Sequence, residues 1–294
     1  MRPRTTAALY KTLGTLLEFL PERVDVALAR RLAVWWGMRS SARERLGANI
    51  ARVLGDSEQA SDHALVERYV RRGFANYGQY WAEGAKLPAL SRRTITSRFR
   101  ICEGLEHLED AFAQGRGVVI ALPHVGSWEW GGAFISSLGM PMTAIAEELE
   151  PPALFEWFKA KREKIGIHVE GLNSQASSKL LHVLKEGGVV GLLCDRDIQG
   201  GGVEVEFFGA PVTLPGGPAT LALRTGAVLL AAACYTGPGS DHFSVVTPAI
   251  SAEREGRLRD DVTRVTQAVA HELEGLIRRA PEQWHVLETR FEAP

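Results

Sequence analysis

Beyond Pro88 the chain alternates short apolar runs with segments of helical periodicity, and few folds accept that rhythm. Ile95–Cys102 alternates like a strand. Leu105–Gln114 has helical spacing and ends at the turn Gly115-Arg116-Gly117. Val118–Leu122, Met142–Ala146, Ile167–Glu170 and Val189–Cys194 are strand-like, separated by helical Ser127–Leu138, Ala153–Ile165 and Ser174–Lys185. Gly200–Gly202 forms a loop before a short strand, Glu204–Phe208. Pro218 suits the first turn of a helix over Ala219–Thr225, with Gly226 as its stop. Val228–Cys234 and His242–Thr247 are expected to pair antiparallel across Gly237-Pro238-Gly239, and Asp260–Arg279 closes the pattern as a long helix. Strands alternating with helices predict an α/β fold: a central, mostly parallel sheet flanked by helices.

Residues 7–85 have a different texture. Leu9, Leu13, Leu16, Leu17 and Leu20 recur at helical spacing until Pro21. Val24, Leu28, Leu32, Trp35 and Trp36 continue that spacing, and Ala42–Leu54 and Asp62–Gly84 give two further helices. Phe74, Tyr77, Tyr80 and Trp81 share a face of the last. The expectation is one domain over 1–294, with a helical N-terminal layer (1–88) on an α/β core (89–294).

Charge divides the same way. Residues 1–52 hold ten Lys/Arg against four acids, hence +6; the rest holds 24 against 31, hence −7. A basic N-terminal part on an acidic body predicts an anionic surface as partner. Trp35, Trp36 and Phe19 among arginines fit either an interfacial helix on anionic lipid or a core helix with its arginines outside. No apolar run reaches the roughly 18–20 residues needed to span a bilayer, and no signal-peptide pattern opens the chain. A cytoplasmic protein that meets a membrane from the side is expected. Cys102, Cys194 and Cys234 lack metal-ligand or disulfide spacing, and the last two read as buried thiols.

One segment concentrates the chemistry: Gly117-Val-Val-Ile-Ala-Leu-Pro-His124-Val-Gly-Ser-Trp-Glu129. It brings an imidazole to the C-terminal tip of a strand, where open α/β sheets bind ligands. Imidazole titrates close to neutrality and suits a general base. A carboxylate such as Glu129 can fix its tautomer and stabilise the imidazolium. A histidine closing a strand and an acid in a first helical turn would look the same. Glu147 and Glu148 also follow a strand, as hydroxyl acceptors or as a solvated helix start. Asp195, Arg196 and Asp197 follow another, in a cleft or in an Asx-type turn with a local pair. Glu204 and His285 could line the same cleft. Arg224 fits either a phosphate contact or a surface salt bridge. The remaining histidines sit among charges on helices or within strands and receive no role.

Taken in order, four segments resemble one family. Pro123-His124-Val-Gly-Ser-Trp-Glu129 looks like the H-x-x-x-x-[DE] signature of lysophospholipid-acyltransferase-like enzymes. Asp195-Arg-Asp197 with Gly202-Val-Glu-Val-Glu-Phe-Phe-Gly209, then Leu214-Pro-Gly-Gly-Pro-Ala-Thr-Leu-Ala-Leu-Arg-Thr-Gly-Ala227, resemble the late lipid A acyltransferases. The likeness is closer to the actinobacterial phosphatidylinositol mannoside acyltransferases. Pro281-Glu-Gln-Trp-His285 with Arg290-Phe291 is similar to their C-terminal signature. Many relatives carry Asp where this chain has Glu129.

The resemblance implies an acyltransferase. It would move a long-chain acyl group from acyl-CoA, a co-substrate rather than a cofactor, to a hydroxyl of a membrane glycolipid, foremost a mannose of a phosphatidylinositol mannoside. His124 would be the base and Glu129 its orienter, with an apolar groove for the tail. Arg196 would meet the thioester oxyanion or a substrate phosphate, and Glu147, Glu148, Asp195, Asp197, Glu204, Arg224 and His285 would line the substrate site. A lipid A-type or lysophosphatidic acid acyltransferase, or a hydrolase using the same histidine, are the alternatives. The pattern calls for no metal, ATP, nicotinamide or nucleic acid. The expected place is the cytoplasmic face of the cell membrane, peripherally bound.

Overall fold

The computed structural model describes residues 21–55, 58–148, 150–173, 175–198, 200–288 and 291. The helix expected over residues 9–20, Phe19 included, lies outside them. The strands are β1 (Phe99–Glu103), β2 (Val118–Leu122), β3 (Met142–Ala146), β4 (Ile167–Gly171), β5 (Val189–Leu193), β6 (Val203–Phe207), β7 (Ala210–Leu214), β8 (Val228–Thr236) and β9 (His242–Val246). Seven of them form one sheet in the order β1-β9-β8-β2-β5-β3-β4, while β6 and β7 pair as a separate hairpin. Five strands from β8 to β4 run parallel. β9 turns back antiparallel on β8, and β1 runs parallel to β9. The α/β fold with a mostly parallel sheet is therefore the observed one.

The sheet is buried on both faces, as parallel strands must be when helices cover them. Along β2 the side chains alternate. Val119 and Ala121 join a core with Leu180, Leu184, Leu221 and Leu273. Val118, Ile120 and Leu122 join another with Leu108, Trp130, Ala133 and Ile135. Each fully buried large aliphatic side chain here contributes about 1.5–3 kcal/mol.

The helices are α1 (Glu22–Gly37), α2 (Ala42–Leu54), α3 (Glu58–Ser61), α4 (His63–Lys86), α5 (Arg92–Arg98), α6 (Leu105–Ala113), α7 (Trp128–Ser137), α8 (Pro152–Lys164), α9 (Ala176–Lys185), α10 (Gly217–Thr225) and α11 (Leu258–Arg278). Two segments depart from expectation. The first half of Ile95–Cys102 is helical, because Ser91 Oγ accepts from Thr94 N at 3.1 Å and caps α5. The strand β7 was not visible in the sequence, since its hairpin turn is Phe208-Gly209 rather than Asn-Gly. Phe208 adopts φ +51, and Glu274 accepts from its backbone N–H at 2.6 Å.

The N-terminal layer packs α1 against α4 through small residues. A Cβ at Gly78 would lie 2.4 Å from the Ala29 carbonyl oxygen. Buried Asp25 pairs with Lys86 at 2.8 Å, and Arg98 of the core bonds Glu22 of α1. The opposite face of α1 is uncovered among the described residues: Val24, Leu28, Leu32, Trp35 and Trp36 are each about half exposed. Trp35 and Trp36 are thus surface residues, as the interfacial reading requires. Beside them Arg30, Arg31, Arg39 and Arg71 rim a depression floored by Val34 and Met38. Among the described residues no helix is long and apolar enough to cross a membrane.

Between layer and core, Glu83 of α4 faces His242 of β9 at 3.5 Å, and Trp130 stacks on that imidazole at 4.1 Å. Burial pushes the Glu83 carboxyl up to about 7 against the Gln79 hydrogen bond. Burial, then the Arg98 charge, push His242 down to about 3. Desolvation outweighs attraction, so below neutrality this is a contact of largely uncharged groups and not an ion pair.

A carboxyl whose folded pKa is raised stabilises fully below its unfolded pKa, and that stability is lost as pH rises through the folded value. Glu83→Gln keeps an acceptor for Gln79 and removes the titration. Its stability relative to wild type should rise between about pH 5 and about pH 8, by on the order of 1–3 kcal/mol. Urea melts across that range check it; a difference independent of pH would contradict it.

Candidate active site

Strand register explains the centre of the site. β2 and β5 are parallel neighbours with Leu122 opposite Leu193. Two residues beyond each lie His124 and Asp195, so two connections that look unrelated in sequence deliver their side chains to one spot. The Cys194 N–H donates to the Leu122 carbonyl at 3.0 Å and prolongs the ladder to that point. The chain leaves β2 towards β3 and leaves β5 towards β8, on opposite sides. The pair therefore sits in the crevice where strand order reverses.

His124 Nδ1 lies 2.5 Å from Asp195 Oδ1, and the His124 backbone N–H donates to Oδ2 at 2.9 Å. The Trp284 indole N–H donates to that same Oδ2 at 2.7 Å. Asp195 is completely buried. Burial alone would raise its carboxyl, but the His124 charge, the ring hydrogen bond, the indole and the backbone N–H outweigh it and hold it at about 2. Asp195 is thus an anion that binds imidazole Nδ1–H and leaves Nε2 as the basic nitrogen. Nε2 has no hydrogen bond to any described residue, and the side chain keeps 18% exposure.

Glu129 does not take that place. Its Oε1 accepts from Arg162 Nη2 and from the Tyr80 hydroxyl, both at 3.1 Å, and Arg162 lies over the Trp128 ring at 5.0 Å. The expectation that Glu129 orients the His124 ring is corrected: Asp195 does so. Helical geometry gives the reason. Glu129 lies in the first turn of α7, after a glycine turn that redirects the chain; Gly126 has φ +56, and a Cβ there would lie 2.0 Å from the Cys234 carbonyl oxygen. The Glu129 side chain points instead at α4 and α8. Burial, then the Glu129 charge, push the Tyr80 phenol well above its ordinary range, so it stays a donor. Burial works against the Arg162 cation, but Glu129 and Tyr80 more than offset it and raise its pKa.

His285 joins the site. Its backbone N–H donates to the His124 carbonyl at 2.7 Å, and its ring packs against Tyr77 and Tyr80 with centroids 5.7 and 5.3 Å away. Burial, then the His124 charge, lower it to about 3, so it is neutral. Arg196 lies nearby, paired with Glu288 at 3.2 Å. Two cavities meet at Tyr77. One of about 430 Å³ is lined by Tyr80, Trp81, Trp157, Phe158, Glu129 and Arg162. The other, of about 420 Å³, is lined by Arg45, Arg196, His285, Leu287 and Glu288. Together they make a trough, apolar at one end and charged at the other.

The other candidates fall elsewhere. Glu147 and Glu148 are exposed beyond β3, and Glu148 accepts from Asn173 at 2.9 Å. Asp197 forms the Asx-type turn, accepting from the Gly200 and Gly202 N–H groups at 3.0 and 2.7 Å. Glu204 points outward opposite Thr213 in the hairpin. Arg224 is exposed at the end of α10, just before β8 begins; that is the edge where β2 starts, opposite His124. Trp284, Tyr80 and Arg162 had no assigned role, though a buried tryptophan beside His285 in the C-terminal motif was a usable signal. Among the described residues no His/Cys/Asp/Glu group could hold a metal ion.

The family model described as bacterial lipid A biosynthesis acyltransferase matches residues 2–293. The chain is 35% identical over 257 residues to a phosphatidylinositol mannoside acyltransferase of Mycobacterium tuberculosis H37Rv, covering 86% of this chain and 78% of that one. It is 31% identical over 288 residues to the protein of that name from Mycolicibacterium smegmatis, covering 97% and 90%. A lipid A biosynthesis acyltransferase of Haemophilus influenzae is 26% identical over 273 residues, covering 92% and 82%.

The pairing predicts a spectrum. The downfield Nδ1–H proton resonance of His124 should survive Glu129→Gln and vanish or move upfield in Asp195→Asn. Loss in the Glu129 variant alone would reverse the assignment.

Proposed function

The chain belongs to the bacterial lipid A biosynthesis acyltransferase family, and from that premise we propose that it transfers a long-chain acyl group from acyl-CoA to a mannose hydroxyl of a phosphatidylinositol mannoside. The observation that carries the chemistry is the His124–Asp195 pair at the crevice, with Nε2 unbonded among the described residues and with His285, whose backbone bonds His124, lining the charged end of the trough. The choice of acceptor rests on likeness to the mycobacterial relatives, which exceeds that to the lipid A enzyme.

Nε2 of His124 takes the proton of the acceptor hydroxyl as its oxygen attacks the thioester carbonyl. The C–S bond of the tetrahedral intermediate then breaks, and the imidazolium returns the proton to the departing thiolate. Asp195 stays ionised throughout and stabilises the imidazolium between the two transfers. No covalent acyl-enzyme is required, because the thioester is already activated. The aromatic end of the trough suits the acyl tail, and the end with Arg45 and Arg196 suits the phosphodiester of the acceptor. Glu129, bonded to Arg162 and Tyr80, lines the aromatic end.

The open ridge of α1 and its neighbouring arginines suit an anionic membrane, with Trp35 and Trp36 at the headgroup level. Docking there brings a lipid acceptor to the trough without a spanning helix. The cytoplasmic face, where acyl-CoA is made, is the corresponding side.

Palmitoyl-CoA and a mannosylated phosphoinositide in vesicles test this reading. His124→Ala and Asp195→Asn should each lower transfer on the order of a hundredfold, with Glu129→Gln less damaging than Asp195→Asn. Equal rates for wild type and His124→Ala would end the assignment, and fatty acid release at full rate without acceptor would favour a hydrolase. Co-sedimentation with anionic vesicles should weaken with salt and with Leu32→Glu/Trp35→Glu; unchanged binding would remove α1 from the docking surface.

A further inference from the structure

Residues 283–285 run antiparallel to residues 124–126, the loop that carries His124. The Gly126 N–H donates to the Gln283 carbonyl at 2.9 Å, and the His285 N–H to the His124 carbonyl at 2.7 Å. Between these bonds the Trp284 side chain turns inward. It is 1% exposed and lies against Phe207 and Phe208 of the hairpin, with centroids 6.3 and 6.0 Å away. A buried indole N–H needs an acceptor, and this one finds Asp195 Oδ2 at 2.7 Å.

We propose that Trp284 is a positioning residue: its indole N–H fixes the Asp195 carboxylate so that Oδ1 faces His124 Nδ1. This rests on the acyl-transfer reading for its kinetic consequence, not for its geometry. Oδ2 receives two N–H donors, the indole and the His124 backbone. Their directions set the plane of the carboxylate and leave Oδ1 for the ring. The neighbouring anchors are independent of the indole. Gln283 bonds the Thr236 backbone through both ends of its amide, at 2.8 and 2.9 Å, so the segment stays docked when only the N–H is deleted.

Without that donor the carboxylate is less well solvated and attracts the ring proton more strongly. A higher ring pKa leaves less free base at a given pH, so the acid limb of the rate profile moves to higher pH. The orientation lost at the same time lowers the plateau.

The test compares wild type with Trp284→Phe, and with β-(3-benzothienyl)alanine placed at 284, an isostere whose sulfur replaces the N–H. Transfer is assayed from palmitoyl-CoA, and the pKa of the His124 ring is read by NMR. The proposal expects kcat to fall roughly tenfold, KM to stay within about twofold, and both the acid limb and the His124 pKa to rise in the isostere as in Trp284→Phe. An isostere with wild-type kcat and wild-type His124 pKa overturns it, even if Trp284→Phe fails to fold. So does a rise in KM at unchanged kcat. If wild type itself transfers no acyl group, the acyl-transfer reading falls, and the His124 pKa in the same proteins still decides the role of Trp284.

Discussion

A carboxylate without exposed surface persists as an anion only where donors surround it. Asp195 imposes that demand on distant parts of the chain. The end of β5 supplies the acid, the end of β2 supplies a backbone N–H and the ring it serves, and the C-terminal segment supplies an indole. Each donor is placed by something larger: the β2–β5 register, the glycine turn at Gly126, and the aromatic contacts of the β6–β7 hairpin. Removing any of these leaves a buried charge short of partners, which costs far more than a surface ion pair.

The fold was legible where its signals were local. Apolar runs of strand length alternating with helical periods sufficed for the sheet, and the helix bounds agree within a few residues. Ser91 turned an apparent strand into α5 because one capping bond outweighs a weak alternation. The hairpin escaped because Phe208 occupies a left-handed position that sequence rules reserve for smaller residues. His124 was legible from its place after β2. Its true partner was not, because pairing with Asp195 depends on which strands are neighbours and in which register, and neither is written within a short window. Glu129 looked right by spacing, but the turn that starts α7 aims it away.

The N-terminal layer and the core both line the trough. Tyr77 and Tyr80 of α4 pack on His285, and both tyrosines line one cavity with Glu129 and Arg162. A layer with an open apolar ridge on one side and a trough wall on the other links the outer surface to the site through a single helix pair. The buried Asp25–Lys86 contact ties the two helices of that pair together.

The strap of residues 281–288 has a temporal consequence. Asn49 of α2 donates to the carbonyls of Val286 and Glu288, and Arg45 to that of Leu287, so this late segment joins the earliest described helices to the loop after β2. During synthesis every strand leaves the ribosome before it does. A nascent chain can assemble its sheet while its imidazole still lacks a fully seated acid. Until that segment docks, Asp195 lacks its indole donor and the loop after β2 lacks its antiparallel partner.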